Sequence, residues 1–106
     1  MMFAAHFISK IDENMSVLKM PIYESGYWDL KPDEAECLKG GRAYFHQTKQ
    51  DSSYIGGKVL DWRKEETDAA HSERIVFTFE ADFDGRGKPW RGRDHSMAWW
   101  SGLVSD

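Results

Sequence analysis

The amino-acid sequence predicts a mainly β domain of the α+β class, either a small barrel or a strongly curved mixed sheet, with one short helix near residues 30–39. Three observations predict it. Arg74 to Glu80 sets Ile75, Phe77 and Phe79 on one phase against Val76, Thr78 and Glu80 on the other, the period-two pattern of a half-buried strand. The aromatic share is 14%, with five Trp, six Phe and four Tyr, which supplies large buried area at few positions as a small β core requires. Helix signals converge at a single stretch, Asp29 to Gly40.

Taken in chain order, Met2 to Ile8 reads as a first strand, apolar enough to be buried on both faces. Asp12-Glu13-Asn14 reads as a turn, and Ser16 to Met20 as a short strand or loop ending at Pro21. Tyr23 to Leu30 reads as an irregular aromatic connection around Gly26. In the helix, Asp29 is the expected N-cap, Pro32 lies in the first turn, Asp33 and Glu34 complement the dipole, and Gly40 follows at the stop position. Leu30, Ala35 and Leu38 form its inward face.

Arg42 to Gln47 reads as a strand with Ala43 and Phe45 on one face and Tyr44 and His46 on the other. Tyr54 to Trp62 is the next, where Gly56-Gly57 marks a bulge or a close backbone approach. Arg63 to Glu73 is charged and reads as an exposed loop or helical turn. Asp82 to Arg93 is a long Gly/Pro-containing loop, and His95 to Val104 returns as a final strand or, at Met97 to Trp100, a helical turn.

At 106 residues the chain is expected to form one domain, residues 1–106, around one core. The lone Cys37 excludes an internal disulfide and fits a reducing, cytoplasmic setting. The apolar start lacks the basic residues and cleavage site of a signal peptide, and no stretch approaches the length of a membrane span. Net charge is -4, which disfavours bulk nucleic-acid binding. The charge is uneven, however: residues 1–40 carry four Lys against seven acids, whereas residues 85–95 carry Arg86, Lys88, Arg91 and Arg93 against Asp94 alone.

Catalytic and metal signatures fall short. Asp82-Phe83-Asp84-Gly85-Arg86-Gly87 starts like a calcium loop, but Arg86 and Arg93 stand where oxygen ligands belong. His6, His46, His71, His95 and Cys37 lack zinc-site spacing and read as scattered surface or half-buried residues. No serine sits in a nucleophile elbow, and no phosphate-cradling glycine loop occurs. The expectation is therefore no catalytic residue, no metal and no cofactor. The segment Gly85 to Arg93 stands apart: four cations, three glycines and Trp90 interleave, which suits close backbone approach, phosphate contact and base stacking. Its bland counterpart is a solvent loop whose arginines pair with the acidic first half while Trp90 covers the core.

Four pieces, Gly40-Gly41, Arg42-Ala43-Tyr44-Phe45-His46, Ile55-Gly56-Gly57-Lys58-Val59 and Arg74 to Phe79, resemble the PUA-like β-barrels, the EVE and ASCH domains in particular, over residues 39–82. That resemblance implies a pocket for a nucleobase, often a modified one, with RNA, DNA or a nucleotide as partner. It would assign His46, Ser53, Tyr54 and Trp90 to the base, and Arg91 and Arg93 to phosphate. A second expectation comes from a different class: a small accessory factor, of the kind phages and mobile elements encode, that binds a protein or a second copy of itself through Tyr23, Tyr27 and Trp28.

Overall fold

The computed structural model describes residues 2–9, 15–66, 73–92 and 99–105. Among these residues seven strands form one mixed sheet: β1 (Phe3–Ile8), β2 (Met15–Lys19), β3 (Ile22–Trp28), β4 (Arg42–His46), β5 (Ile55–Glu66), β6 (Glu73–Ala81) and β7 (Val104–Ser105). Their spatial order is β2-β3-β6-β5-β4-β1-β7, so the sheet runs between two edges and does not close into a barrel. β1 and β4 pair in parallel; the other neighbours are antiparallel. Register shifts at Val17/Lys19, Ser25/Trp28 and Val59/Asp61 interrupt the ladders, the kind of irregularity that bends and twists a sheet.

Alternation sorts the strands into two faces. On one, Ala5 and Phe7 of β1, Ala43 and Phe45 of β4, Val59 of β5 and Ile75, Phe77 and Phe79 of β6 form the apolar core. Helix α1 (Pro32–Leu38) adds Ala35 and Leu38 to this layer, packing against β1 and β5. Phe7 lies 5.4 Å from Phe45 and 4.6 Å from Trp28, centroid to centroid, within the range where aromatic rings attract. The opposite face of β1 and β4 carries His6, Tyr44 and His46, also buried, so both strands are covered on both sides.

Three expectations change. Ile22–Trp28 is a strand, interrupted between Ser25 and Trp28, rather than a connection: β6 supplies the pairing, and Gly26 sits where a side chain would press on Val76. The helix begins later than expected, because a residue before proline is held extended; Lys31 has φ -80° and ψ 148°, and its N–H donates to the Glu34 carboxylate at 2.9 Å. Asp29 instead faces Arg74, 3.8 Å away. The charged stretch after Trp62 continues β5 to Glu66, with Arg63 bridging Glu24 and Glu65 on the solvent side. The expected turn at Asp12-Glu13-Asn14 and the helical alternative at Met97-Ala98 lie outside the described residues.

The Gly56-Gly57 pair marks a close approach. A methyl on Gly57 would overlap the Glu80 carbonyl of β6, and one on Gly56 would meet the Ala43 carbonyl at 2.5 Å. Since both obstacles are backbone, they cannot rotate away. Gly57→Ala should therefore destabilise the protein by about 3 kcal/mol, near the upper end of single substitutions, read as a lowered midpoint in urea with the folded spectrum retained.

Candidate functional site

Parallel pairing sets His6 beside Tyr44 and Ile8 beside His46, so the two histidines lie diagonally on the face opposite the core. Both are fully buried. His6 Nδ1 and His46 Nε2 are 2.8 Å apart, and His46 Nδ1 is 2.8 Å from the Asp51 carbonyl oxygen. Arg91 reaches in from the loop, its Nε–H donating to His6 Nε2 at 3.2 Å and Nη1 to the Ser105 carbonyl at 3.3 Å. The His6 main-chain N–H donates to Ser101 Oγ at 2.9 Å.

These contacts dictate the protons. The Asp51 carbonyl only accepts, so His46 carries its proton on Nδ1 and accepts at Nε2. His6 must then donate from Nδ1, which leaves its Nε2 as the acceptor that Arg91 requires. In the arrangement that satisfies these contacts each ring carries one proton. Burial pushes the His46 imidazole below its ordinary range, against a weaker upward pull from the Asp51 carbonyl and carboxylate.

Aromatic rings enclose the pair. Tyr44 stacks on His6 at 4.9 Å, and Trp90 covers both imidazoles at 5.8 and 5.4 Å, edge-on to His46. The Lys49 ammonium stands 5.8 Å from the Trp90 ring centre. The loop that brings Trp90 and Arg91 here is anchored at its start. Ser53 Oγ donates to the Gly85 carbonyl at 2.7 Å and accepts the Lys88 N–H at 3.0 Å, while Ser53 N–H donates to Lys88 O and Gly87 N–H to Ser53 O, both at 2.9 Å. Gly85 rests on the backbone of Gly56, a contact any side chain would block. Asp82 is held by both guanidinium nitrogens of Arg42, at 2.9 and 2.6 Å, which lowers the carboxyl below its usual range and raises the guanidinium.

The expected site residues thus divide. His46, Trp90 and Arg91 are brought together, but as a packed cluster in which His46 is buried and Trp90 and Arg91 are half-buried over it. Ser53 is a loop clamp, and the Tyr54 hydroxyl donates to the Ser9 carbonyl at 2.6 Å. Arg86 and Lys88 remain at the surface, and among the described residues neither takes part in an ion pair, whereas Arg42, Arg63 and Arg74 all face acids. Among the described residues Arg86 does not pair with the acidic half of the chain, as the solvent-loop alternative had it. Arg93, His71 and His95 lie outside the described residues.

The reading of His6 and His46 as scattered surface or half-buried residues is corrected. A signal existed: each histidine sits in a strand read as buried or alternating, but nothing local joined positions forty apart. Among the described residues no three His, Cys, Asp or Glu side chains converge as a metal site would need, and no helix is long and apolar enough to cross a membrane. A cleft of about 290 Å³ beside Phe3, Cys37 and Lys39 and one of about 190 Å³ beside Glu24, Tyr27 and Arg63 both lie away from the basic loop. Among known proteins, no family model, no curated sequence and no solved structure matches the chain.

Because His46 is harder to protonate folded than unfolded, the unfolded chain binds the extra proton as pH falls. The stability from the neutral pair is complete above the unfolded imidazole value of about 6.5 and is lost as pH drops from there toward the folded value. Thermal melts at pH 7.5, 6 and 5 should show a midpoint falling with acidity, with a slope of up to about 1.4 kcal/mol per pH unit for this one proton. In His46→Gln that slope should shrink. Asp82 acts in a separate window, since its stabilisation is present above its ordinary value of 3.8 and fades only below it.

Proposed function

We propose that the protein is a binding module for nucleic acid or a nucleotide, with no chemistry of its own, that engages its ligand through the loop from Gly85 to Gly92. The observation that carries this reading is the placement of Arg86 and Lys88: both exposed, and outside any ion pair among the described residues. In an acidic protein whose other described arginines are engaged, two such cations on an anchored loop are suited to phosphate. Lys49 adds a third positive charge near Trp90. The resemblance of residues 39–82 to PUA-like domains points to the same ligand class. The contact is a surface rather than a pocket of His46, Ser53 and Tyr54, whose polar atoms already serve the fold.

Affinity for a fluorescent 20-nucleotide DNA should fall as salt rises. Each phosphate contact contributes about 0.7 to the logarithmic slope on a single strand, so Arg86→Ala/Lys88→Ala should weaken binding and cut the slope by about 1.4. Undiminished affinity and slope in that double variant, read by anisotropy, would exclude the loop.

A second reading rests on the edge of the sheet. Of the three aromatics expected to form a protein contact, Tyr23 stacks inward on Phe79 and Trp28 packs on Phe7; Tyr27 alone is exposed, at 49%. Beside it runs edge strand β2 with Val17 and Leu18 exposed, and Met20 exposed in the turn that follows, an apolar edge of the sort that adds a partner's strand. If a second copy pairs there, sedimentation should show a dimer that Leu18→Lys dissociates; a monomer at all concentrations rules out that self-pairing.

A further inference from the structure

Phe83 is the most exposed large apolar side chain among the described residues, at 91%. A phenylalanine held in water forgoes a burial worth more than most single contacts, so its position at the head of the basic loop calls for a physical explanation. It opens a single 3₁₀ turn, Phe83–Gly85, in which the Arg86 N–H donates to the Phe83 carbonyl at 3.4 Å and the Gly85 N–H to that of Asp82 at 3.2 Å. Arg86, the extended residue that ends the turn, is thereby held by its backbone to that of Phe83.

The base of the turn is rigid. Arg42 clamps Asp82 with two hydrogen bonds, Ser53 holds the Gly85 carbonyl, and Gly85 is seated on Gly56. A ring standing on such a support loses little further freedom on binding, which favours affinity. The chemistry it offers is an uncovered aromatic face with two exposed cations three and five residues further along the same loop, the combination that meets a base and its neighbouring phosphates. A duplex hides its base faces within the stack, whereas a single strand presents them. Asp82 is neutralised by Arg42, so Asp84 is the carboxylate of this turn that opposes an anionic chain.

We infer that Phe83 is a stacking platform for a single-stranded nucleic acid, with Arg86 and Lys88 on the flanking phosphates. This rests on the reading of the loop as a nucleic-acid surface and names its ligand as unpaired RNA or DNA. Since Phe83 is almost wholly exposed, Phe83→Ala leaves the fold untouched, and its melting midpoint checks that.

The test measures anisotropy of labelled 10-nucleotide DNA and RNA single strands and a DNA duplex of the same sequence, at 50 and 200 mM salt, with the full chain. Phe83→Ala should weaken single-strand binding on the order of tenfold without altering its salt slope, and Phe83→Trp should restore it. Asp84→Asn should tighten binding by about twofold. Duplex should bind more weakly than either single strand. If Phe83→Ala binds as the parent does while Arg86→Ala/Lys88→Ala loses affinity, the loop reading stands and the platform falls. Equal affinity for duplex also overturns it, as does Phe83-dependent self-association without oligonucleotide, which would assign the ring to a protein contact. Absence of binding to every probe by the parent protein removes the loop reading as well.

Discussion

Parallel pairing between Phe3–Ile8 and Arg42–His46 determines what meets what on both sides of the sheet. In register, Ala5 faces Ala43 and Phe7 faces Phe45, which builds the centre of the apolar core. The same register sends His6, Tyr44 and His46 to the other side. Because side chains alternate strictly, a slip of one residue would carry the histidines into the core and the phenylalanines out. The core and the candidate site are therefore two consequences of one strand pairing.

The second face must hide polar groups, and it does so by satisfying them. A buried imidazole without partners would carry a desolvation cost; here each ring nitrogen of both histidines has one, ending at the Asp51 carbonyl on one side and Arg91 on the other. The chain of bonds tolerates one set of protons. Adding a proton to His46 would turn its Nε2 into a donor, force His6 to accept at Nδ1, and set the remaining His6 N–H against the Arg91 N–H. The basic loop is in this way tied to a neutral histidine pair beneath it, with Trp90 as the cover.

Loop anchoring and loop charge are carried by different residues. Ser53, Gly56 and Gly85 fix the backbone, and Arg91 points inward, which leaves Phe83, Arg86 and Lys88 to face solvent on a support that does not yield. A binding surface assembled on a pinned loop keeps its side chains in place at low entropic cost. The chemistry of the loop, basic and aromatic together, is thus divided between an inner half that holds the fold and an outer half that meets the solvent.

Local pattern determined much of this protein. The alternation of Ile75, Phe77 and Phe79, the opposed phases of β4, the helix signals around Pro32 and the close approach at Gly56-Gly57 all follow from period, side-chain shape and backbone freedom, which act over a few residues. Ile22–Trp28 escaped that reading because its strand character comes from pairing with β6, not from its own alternation. The role of each candidate site residue escaped it for the same reason. Whether Arg91 turns in to His6 and Arg86 turns out, whether Ser53 clamps a loop, and whether His6 meets His46 depend on contacts between positions thirty to ninety apart in the chain. Hydrogen bonds and burial at such separations are set by how the sheet assembles, so only the tertiary structure decided them.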